Sequence, residues 1–339
     1  MVVKRVNIRD VALEAGVSVT TVSKALNNYP DVNAETKKRI QDVAERMNYI
    51  ADVNARRMGS KENIPVVALL LGALEPTDPS GFVYSVLSGA YHACYQCGCD
   101  FTMMITPKEE QNDLPLLTLC REKGISGVVA TGLRLGDPYV EQLQKLSIPV
   151  AVIDMELTGA NLKSIAVNNT LASEQVVERL LEKGHRKIAM LNGRREADVS
   201  YRRYQGYEKA LQAHGLQVDP SCVRYCDFKQ ELAHNAARDL LTQRPDVTAI
   251  FAASDLMAFG ACQAIEELGM EAGRDIDVVG FDDIPLAMYL YGGVTTVSQD
   301  PYDMGVLAGE TVCAQLRPAL EMPSRTPKYR ITVRKTARI

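Results

Sequence analysis

From residue 66 onward the chain alternates between short apolar runs and segments with a helical apolar period, and this rhythm limits the fold more than any other feature. Residues 66–72 are a continuous apolar run, the pattern of a strand buried on both faces. A helical stretch at 82–96 follows, then an extended one at 100–106. Residues 114–123 read as helical, 127–130 as extended, 139–146 as helical and 150–154 as extended. Repeats of this kind place parallel strands in one sheet with helices on both faces. The rhythm then starts again. Strands are expected at 164–167, 187–191, 223–225, 249–252 and 278–281, and helices at 171–183, 204–214, 231–242 and 257–268. Two such sheets in succession predict two lobes with a cleft between them, and 339 residues are too many for one ordinary core. Open parallel sheets take ligands beyond the carboxyl ends of their strands. Polar residues that follow strands are therefore the candidates: Asp154, Asn192, Ser254, Asp255, Asp282 and Asp283.

The first 60 residues have a different pattern. Ile8, Val11, Ala12 and Ala15 fall on one face of a short helix, which Gly16 can end in a left-handed turn. Ser18 can cap a second helix through its hydroxyl. Val22, Ala25 and Leu26 form the inner stripe of that helix, leaving Val19, Thr20, Ser23, Lys24 and Asn27 outside. Two short helices joined by Ala-Gly-Val-Ser are a helix-turn-helix, and short hydrogen-bonding or cationic side chains suit a helix lying in the major groove. A third helix, capped by Asn33, turns Val32, Thr36, Ile40, Val43, Ala44 and Met47 inward and Lys37, Lys38 and Arg39 outward. Charge is distributed to match. Residues 1–60 carry ten Lys/Arg against seven Asp/Glu, while the whole chain carries 38 against 42. A basic head on an acidic body suits a head that meets phosphate.

Other functions find little support. No G-x-G-x-x-G follows the first strand, and there is no phosphate loop and no nucleophile elbow. His92, His185, His214 and His234 lie outside any metal or triad spacing, so no catalytic residue is expected. The cluster His92, Cys94, Cys97 and Cys99 has metal-like composition but no second ligand cluster, and the eight cysteines read as half-buried thiols. No metal or cofactor is expected. No apolar run reaches the roughly 18 residues of a membrane span. The start lacks the apolar core of a signal peptide. A cytoplasmic protein without a membrane partner is expected.

The segments NIRDVALEAGVSVTTVSKALNN (7–28) and DVNAETKKRIQDVAERMNYIADVNARRM (31–58) closely resemble the opening of lactose/galactose-repressor-family regulators. The body resembles the same family in EKGHRKIAMLNG, YRRYQGYEKALQAHG, AIFAASDLMAFGACQAIEELG, VVGFDDIP and VTTVSQD, in that order. The resemblance implies a small all-α helix-turn-helix head and an α/β body of two Rossmann-like parallel-sheet lobes, similar to a periplasmic sugar-binding protein. It implies a DNA-binding domain at 1–50, a hinge at 51–64 and an effector-binding, dimer-forming core at 65–339. Three crossings, near 163, 295 and 326, would make one lobe from 65–163 and 295–325 and the other from 164–294 and 326–339.

The resemblance also assigns roles. Val19, Thr20 and Lys24 would meet bases, and Ser18, Thr21, Ser23 and Asn27 would meet phosphates. Ala55 and Met58 would meet DNA from the hinge, with Met58 standing where the family has a leucine wedge. Effector contacts would come from Phe82, Asp154, Arg203, Phe228, Ser254 and Asp282. Arg203 would fork onto the ligand, Asp282 would accept from hydroxyls or an amine, and Phe228 would stack. The expected partners are double-stranded operator DNA, a small polar effector and a second copy of the chain. The leading effector is a carbohydrate or sugar phosphate. A nucleobase or a protein corepressor is the alternative, and an enzyme with a Rossmann-like body is the more distant one.

Overall fold

The structure of the protein, a computed structural model, describes residues 6–26, 29–47, 49, 64–72 and 79–339. The chain divides into two compact units, 1–65 and 66–339.

The first unit holds α1 (Ile8–Ala15), α2 (Val19–Leu26) and α3 (Ala34–Arg46). Each helix starts at a side-chain cap. Asn7 accepts from the Asp10 amide while the Asp10 carboxylate takes the Asn7 amide at 2.8 Å, a reciprocal box that the sequence reading did not anticipate. Ser18 Oγ accepts from the Thr21 amide at 3.1 Å, and Asn33 Oδ1 from the Thr36 amide at 2.7 Å. Gly16 closes α1 at φ 63°, a left-handed conformation that side chains disfavour. Val11, Val22, Ala25 and Ile40 are fully buried where the three helices meet, with Ala12, Ala15, Val43 and Ala44 around them. The small volume of these residues lets such short helices approach closely.

The second unit begins with β1 (Val66–Leu71), α4 (Phe82–Gln96), β2 (Asp100–Ile105), α5 (Lys108–Gln111), α6 (Leu116–Glu122), β3 (Gly127–Thr131), α7 (Pro138–Lys145), β4 (Val150–Ile153) and β5 (Leu162–Ile165). Their strands form one parallel sheet in the order β2-β1-β3-β4-β5. Next come α8 (Asn169–Glu182), β6 (Ile188–Asn192), α9 (Asp198–Ala213), β7 (Val223–Tyr225), α10 (Gln230–Gln243), β8 (Ala249–Ala252), α11 (Asp255–Glu267), β9 (Asp277–Asp282) and β10 (Thr295–Gln299). After them come α12 (Pro301–Leu316) and β11 (Tyr329–Thr332). The second sheet runs β11-β10-β9-β8-β6-β7, with only β11 antiparallel. Strand order reverses between β1 and β3 in the first sheet and between β6 and β8 in the second, which opens a crevice at the carboxyl ends of each.

Two of the three crossings lie later than the sequence indicated. Leu162–Ile165 pairs with β4, so the chain leaves the first lobe after Ile165, not near 163. Residues 162–167 therefore do not open the second sheet. Thr295–Gln299 pairs with β9, so the return falls after Gln299, not near 295. The cause of the second shift is specific. Thr295 Oγ1 donates to the Ala337 carbonyl at 2.6 Å and Thr296 Oγ1 to Asp255 at 2.5 Å, which ties both buried threonines to the second lobe. α12 then packs on α4 of the first lobe, where Gly89, Gly305 and Gly309 leave no room for a side chain.

Candidate functional site

On the head, Ser18, Val19 and Thr20 are exposed, while Thr21, Ser23 and Lys24 are half-buried. The Ser18 and Thr21 hydroxyls are 2.8 Å apart. Lys24 forms an ion pair with Asp31, which holds the Asp31 carboxyl below its usual range. Thr21, Lys24, Asp31, Asn33 and Thr36 line a shallow polar hollow between α2 and α3. Asn27, Ala55 and Met58 lie outside the described residues, as does the hinge segment 51–60.

In the body, the carboxyl ends of the two sheets face one another. Arg203 lies in the second turn of α9, a helix that starts at Asp198 and so earlier than its apolar period indicated. Gly206, one turn on, sets its position. A Cβ at Gly206 would stand 2.2 Å from the Thr170 carbonyl, so α9 and α8 touch backbone to backbone there. That contact brings Arg203 Nε within 2.8 Å of Asn169 Oδ1. Its Nη1 donates to the Ala253 carbonyl at 2.5 Å, just past β8, and its guanidinium lies 3.6 Å over the Phe281 ring. Nη2 is left facing Asp282 Oδ1 at 3.8 Å. The side chain is 3% exposed, and burial draws its pKa down against the pull of Asp282 and Asp154.

Asp154 follows β4 on the opposite lobe. One of its carboxylate oxygens is buried without a hydrogen-bond partner. Burial pushes this carboxyl up to about 7, opposed by Arg203 and assisted by Asp282 and Asp198. Asp282 accepts from Gln299 Nε2 at 2.8 Å. Asp255 lies behind, accepting from the Ile284 amide at 2.8 Å and from Thr296. Burial, with repulsion from Asp282, raises its pKa well above the usual carboxylate range. Backbone strain collects at the same place. Asp154, Phe228, Asp282 and Asp283 all have positive φ, at 59°, 61°, 114° and 58°. Non-glycine residues hold such angles where the surroundings fix them, and ligand sites are where they gather.

The lobes are latched beside this cluster. The Glu156 amide donates to Asp198 at 3.0 Å, Arg202 bridges Asp198 at 2.6 Å and Glu156 at 2.9 Å, and the Leu135 amide donates to the Glu196 carbonyl.

The structure thus brings Asp154, Arg203 and Asp282 together. Ser254 is adjacent in sequence to Ala253, but its hydroxyl caps α11 through the Met257 amide at 3.3 Å. Phe228 rests against the backbone of Gly193, whose Cβ would meet the ring at 2.0 Å. Phe82 opens α4 and packs into the apolar cluster of the first lobe. Asn169, Gln299 and Asp198 were missed, because nothing local in the sequence marks a residue that holds another residue's side chain.

Matches to known proteins agree with this arrangement. Residues 68–331 match the family model described as periplasmic binding proteins and sugar binding domain of LacI family, and residues 7–52 match bacterial regulatory proteins, lacI family. The chain belongs to the LacI family. Its relatives include the transcriptional regulator RegA of Clostridium saccharobutylicum, 28% identical over 89% of this chain and 90% of that protein. Catabolite control protein A of Priestia megaterium is 27% identical over the same shares. Among solved structures, a CelR–cellobiose complex is 26% identical at a TM-score of 0.70, covering 98% of this chain and 100% of that one. A lac repressor bound to ONPG in its repressed state matches in fold, at 24% identity and a TM-score of 0.76 over 98% of this chain and all of the other. This LacI-family chain is accordingly a DNA-binding transcription regulator with a helix-turn-helix head and a two-lobed body, and not an enzyme. No helix among its described residues is long and apolar enough to cross a membrane.

The thiols of this LacI-family member converge more than their spacing indicated. Cys313 of α12 comes within 3.9 Å of Cys94, and Cys97 and Cys99 interact with it as well. Burial pushes Cys97 and Cys99 up to about 11, so they are held as neutral thiols. Among the described residues no set of three His, Cys, Asp or Glu side chains is placed to hold a metal ion.

The raised Asp154 pKa has a consequence for stability. Unfolded, this carboxyl ionises near 3.8; folded, it ionises near 7. Between those values the folded protein keeps a proton that the unfolded chain releases, so folding is progressively penalised as pH rises from about 4 to about 7 and equally penalised above. Asp154→Asn removes that penalty. The variant is expected to gain stability over the parent across this window, reaching about 4 kcal/mol at pH 8 and nothing at pH 4. Thermal unfolding of both proteins at pH 4, 6 and 8 checks it; a constant difference would contradict the assignment.

Proposed function

We propose that the protein is an effector-controlled repressor that binds a pseudo-palindromic operator as a homodimer. The observation that carries this reading is the meeting of Asp154, Arg203 and Asp282 across the cleft of a body joined to a helix-turn-helix head. In it, α2 enters the major groove. Val19, Thr20 and Lys24 read bases, with Lys24 exchanging Asp31 for DNA, and Ser18, Thr21, Ser23 and Asn27 take phosphates. Ala55 and Met58 act from the hinge in the minor groove. A small polar effector binds between Asp154 on one lobe and Arg203 and Asp282 on the other, with Phe82, Phe228 and Ser254 as the further contacts that the family resemblance implies. The cellobiose named in the CelR complex supports a carbohydrate as the effector. Because the site is built from both lobes, occupancy changes the angle between them, and that change alters operator affinity. The coupling is reciprocal. An effector that shifts the operator Kd by some factor must have its own Kd shifted by the same factor when operator is present. Titrating each ligand with and without the other tests this; a shift in one direction only would refute the coupling.

A second copy of the chain fits one exposed face. Tyr84, which is 72% exposed, joins Tyr91 and Tyr95 on α4 and Met103 and Ile105 on β2, an edge strand of the first sheet. A groove of about 370 Å³ runs along this face between Tyr84, Tyr91, Phe101 and Met103. Contiguous exposed aromatics of this kind mark an interface. Placing Glu at both Tyr84 and Tyr91 is expected to weaken self-association at least about tenfold. Sedimentation equilibrium reads the change, and an unaltered dimer would place the interface elsewhere.

A further inference from the structure

Three of the eight cysteines crowd the end of α4, at Cys94, Cys97 and Cys99, and a fourth, Cys313, comes to them from the last turn of α12. Glycines let the two helices come this close. A Cβ at Gly305 would stand 2.3 Å from the Val86 carbonyl, and one at Gly309 2.8 Å from the Ala93 Cβ. Beyond that contact, Arg317 Nη2 donates to the Gly98 carbonyl and its guanidinium lies against Gly98, so the turn that bears Cys97 and Cys99 is tied to the end of α12. The chain runs along α4 from the carboxyl end of β1 to the start of β2, which places the cluster at the end of the first lobe away from the cleft. Neither operator nor effector binding uses it.

The four thiols are not equivalent. Cys94 and Cys313 are fully buried and Cys99 nearly so, while Cys97 is the one cysteine of the eight that is half-buried. An oxidant in solution therefore meets Cys97 first. Cys313 donates to Cys94 at 3.9 Å. With its proton turned to Cys94, the Cys313 sulfur accepts from Cys97 and Cys99. The lone pairs of a buried sulfur thus face a sulfur that solvent reaches. A solvent-reached thiol beside a buried second thiol is the arrangement in which oxidation ends in a disulfide.

We infer that Cys97 and Cys313 are a peroxide-responsive pair that closes into a disulfide within one chain and staples α4 to α12. The Cys97 sulfur attacks one oxygen of hydrogen peroxide. An S–O bond forms as the O–O bond breaks, the sulfur gives two electrons to the peroxide, and the thiol proton leaves with the departing oxygen as water. The Cys313 sulfur then attacks the resulting sulfenic acid. The S–S bond forms, the S–O bond breaks, and the released hydroxyl takes the Cys313 proton as a second water. The sulfurs must close to about 2.05 Å, and Cys97, which ends α4, has no further helical turn to confine its rotation. Burial, with Cys313 and Glu310, pushes Cys97 up to about 11, so little thiolate is present at neutral pH. The pair is therefore silent toward trace peroxide and responds to sustained exposure.

The test is a count of free thiols on the full-length chain before and after a molar excess of hydrogen peroxide. Two of the eight thiols should be lost, and dithiothreitol should restore both. Peptide mapping of the alkylated, unreduced protein should find Cys97 joined to Cys313 within one chain. Cys97→Ser, at a half-buried position, should lose thiols at least about tenfold more slowly. Cys313→Ser should stop at the sulfenic acid on Cys97, which dimedone captures. If this buried replacement does not fold, as read by circular dichroism, the peptide map and Cys97→Ser decide the matter between them. Survival of all eight thiols, a bond between two chains or between another pair, or an unchanged rate in Cys97→Ser would overturn the inference.

Discussion

Replacing Arg203 with Lys is expected to abolish the response to effector while leaving operator binding in place. Lysine keeps the positive charge between Asp154 and Asp282, so the carboxylates stay compensated. It cannot, however, reproduce three directed contacts at once, to Asn169 at 2.8 Å, to the Ala253 carbonyl and toward Asp282. Nor can it lie flat on Phe281. Arg203→Ala is the harsher variant, because it removes the positive charge that faces Asp154 and Asp282 and leaves the buried Asn169 side chain and the Ala253 carbonyl without their donor. Its cost is about 3 kcal/mol of folding stability. The two variants separate binding from folding. A Lys variant that melts near the parent, retains operator affinity and ignores effector supports the assignment. Loss of operator binding by a folded Lys variant counts against it.

Asp255 carries the second large effect. Its carboxyl takes the Ile284 amide and the Thr296 hydroxyl, and it lies on the backbone of Gly280, where a Cβ would meet it at 2.3 Å. It therefore joins the start of α11 to β10 and to the loop that follows Asp282. Asp255→Ala would leave a buried N–H and a buried hydroxyl unmet and open a void, at about 3–4 kcal/mol. Asp255→Asn keeps an acceptor in place. Because burial already favours the neutral acid, the amide should cost less than about 1 kcal/mol. Urea unfolding of the two variants distinguishes them, and equal losses would mean that the hydrogen bonds are not what Asp255 contributes.

Much of this architecture is legible in the sequence. Continuous apolar runs such as 66–72 have one stable environment, the middle of a parallel sheet, and β1 is buried along its whole length. The head was legible because caps and turns are local chemistry; Gly16, Ser18 and Asn33 behave as their types dictate. The lobe crossings were less so. Thr295 and Thr296 are neither apolar nor periodic, and their membership of the second sheet depends on Ala337 and Asp255, some forty residues away on either side. Asp154 and Asp282 were marked by their place after strands and Arg203 by the family resemblance, and the structure supplies what neither could: their mutual geometry. Asn169, Gln299 and Asp198 act only through partners that folding brings to them.

As a repressor of the kind proposed, this chain reads a DNA sequence as a symmetric pair. The most direct measurement is selection by the full-length protein from a pool of random duplexes, followed by sequencing of what it retains. A palindromic motif, with half-sites one helical turn apart and depleted when Thr20 and Lys24 are both replaced by Ala, is the predicted result. Retention that has no motif and vanishes with modest salt would contradict it, for it would reduce the head to a basic surface that meets phosphate and reads nothing.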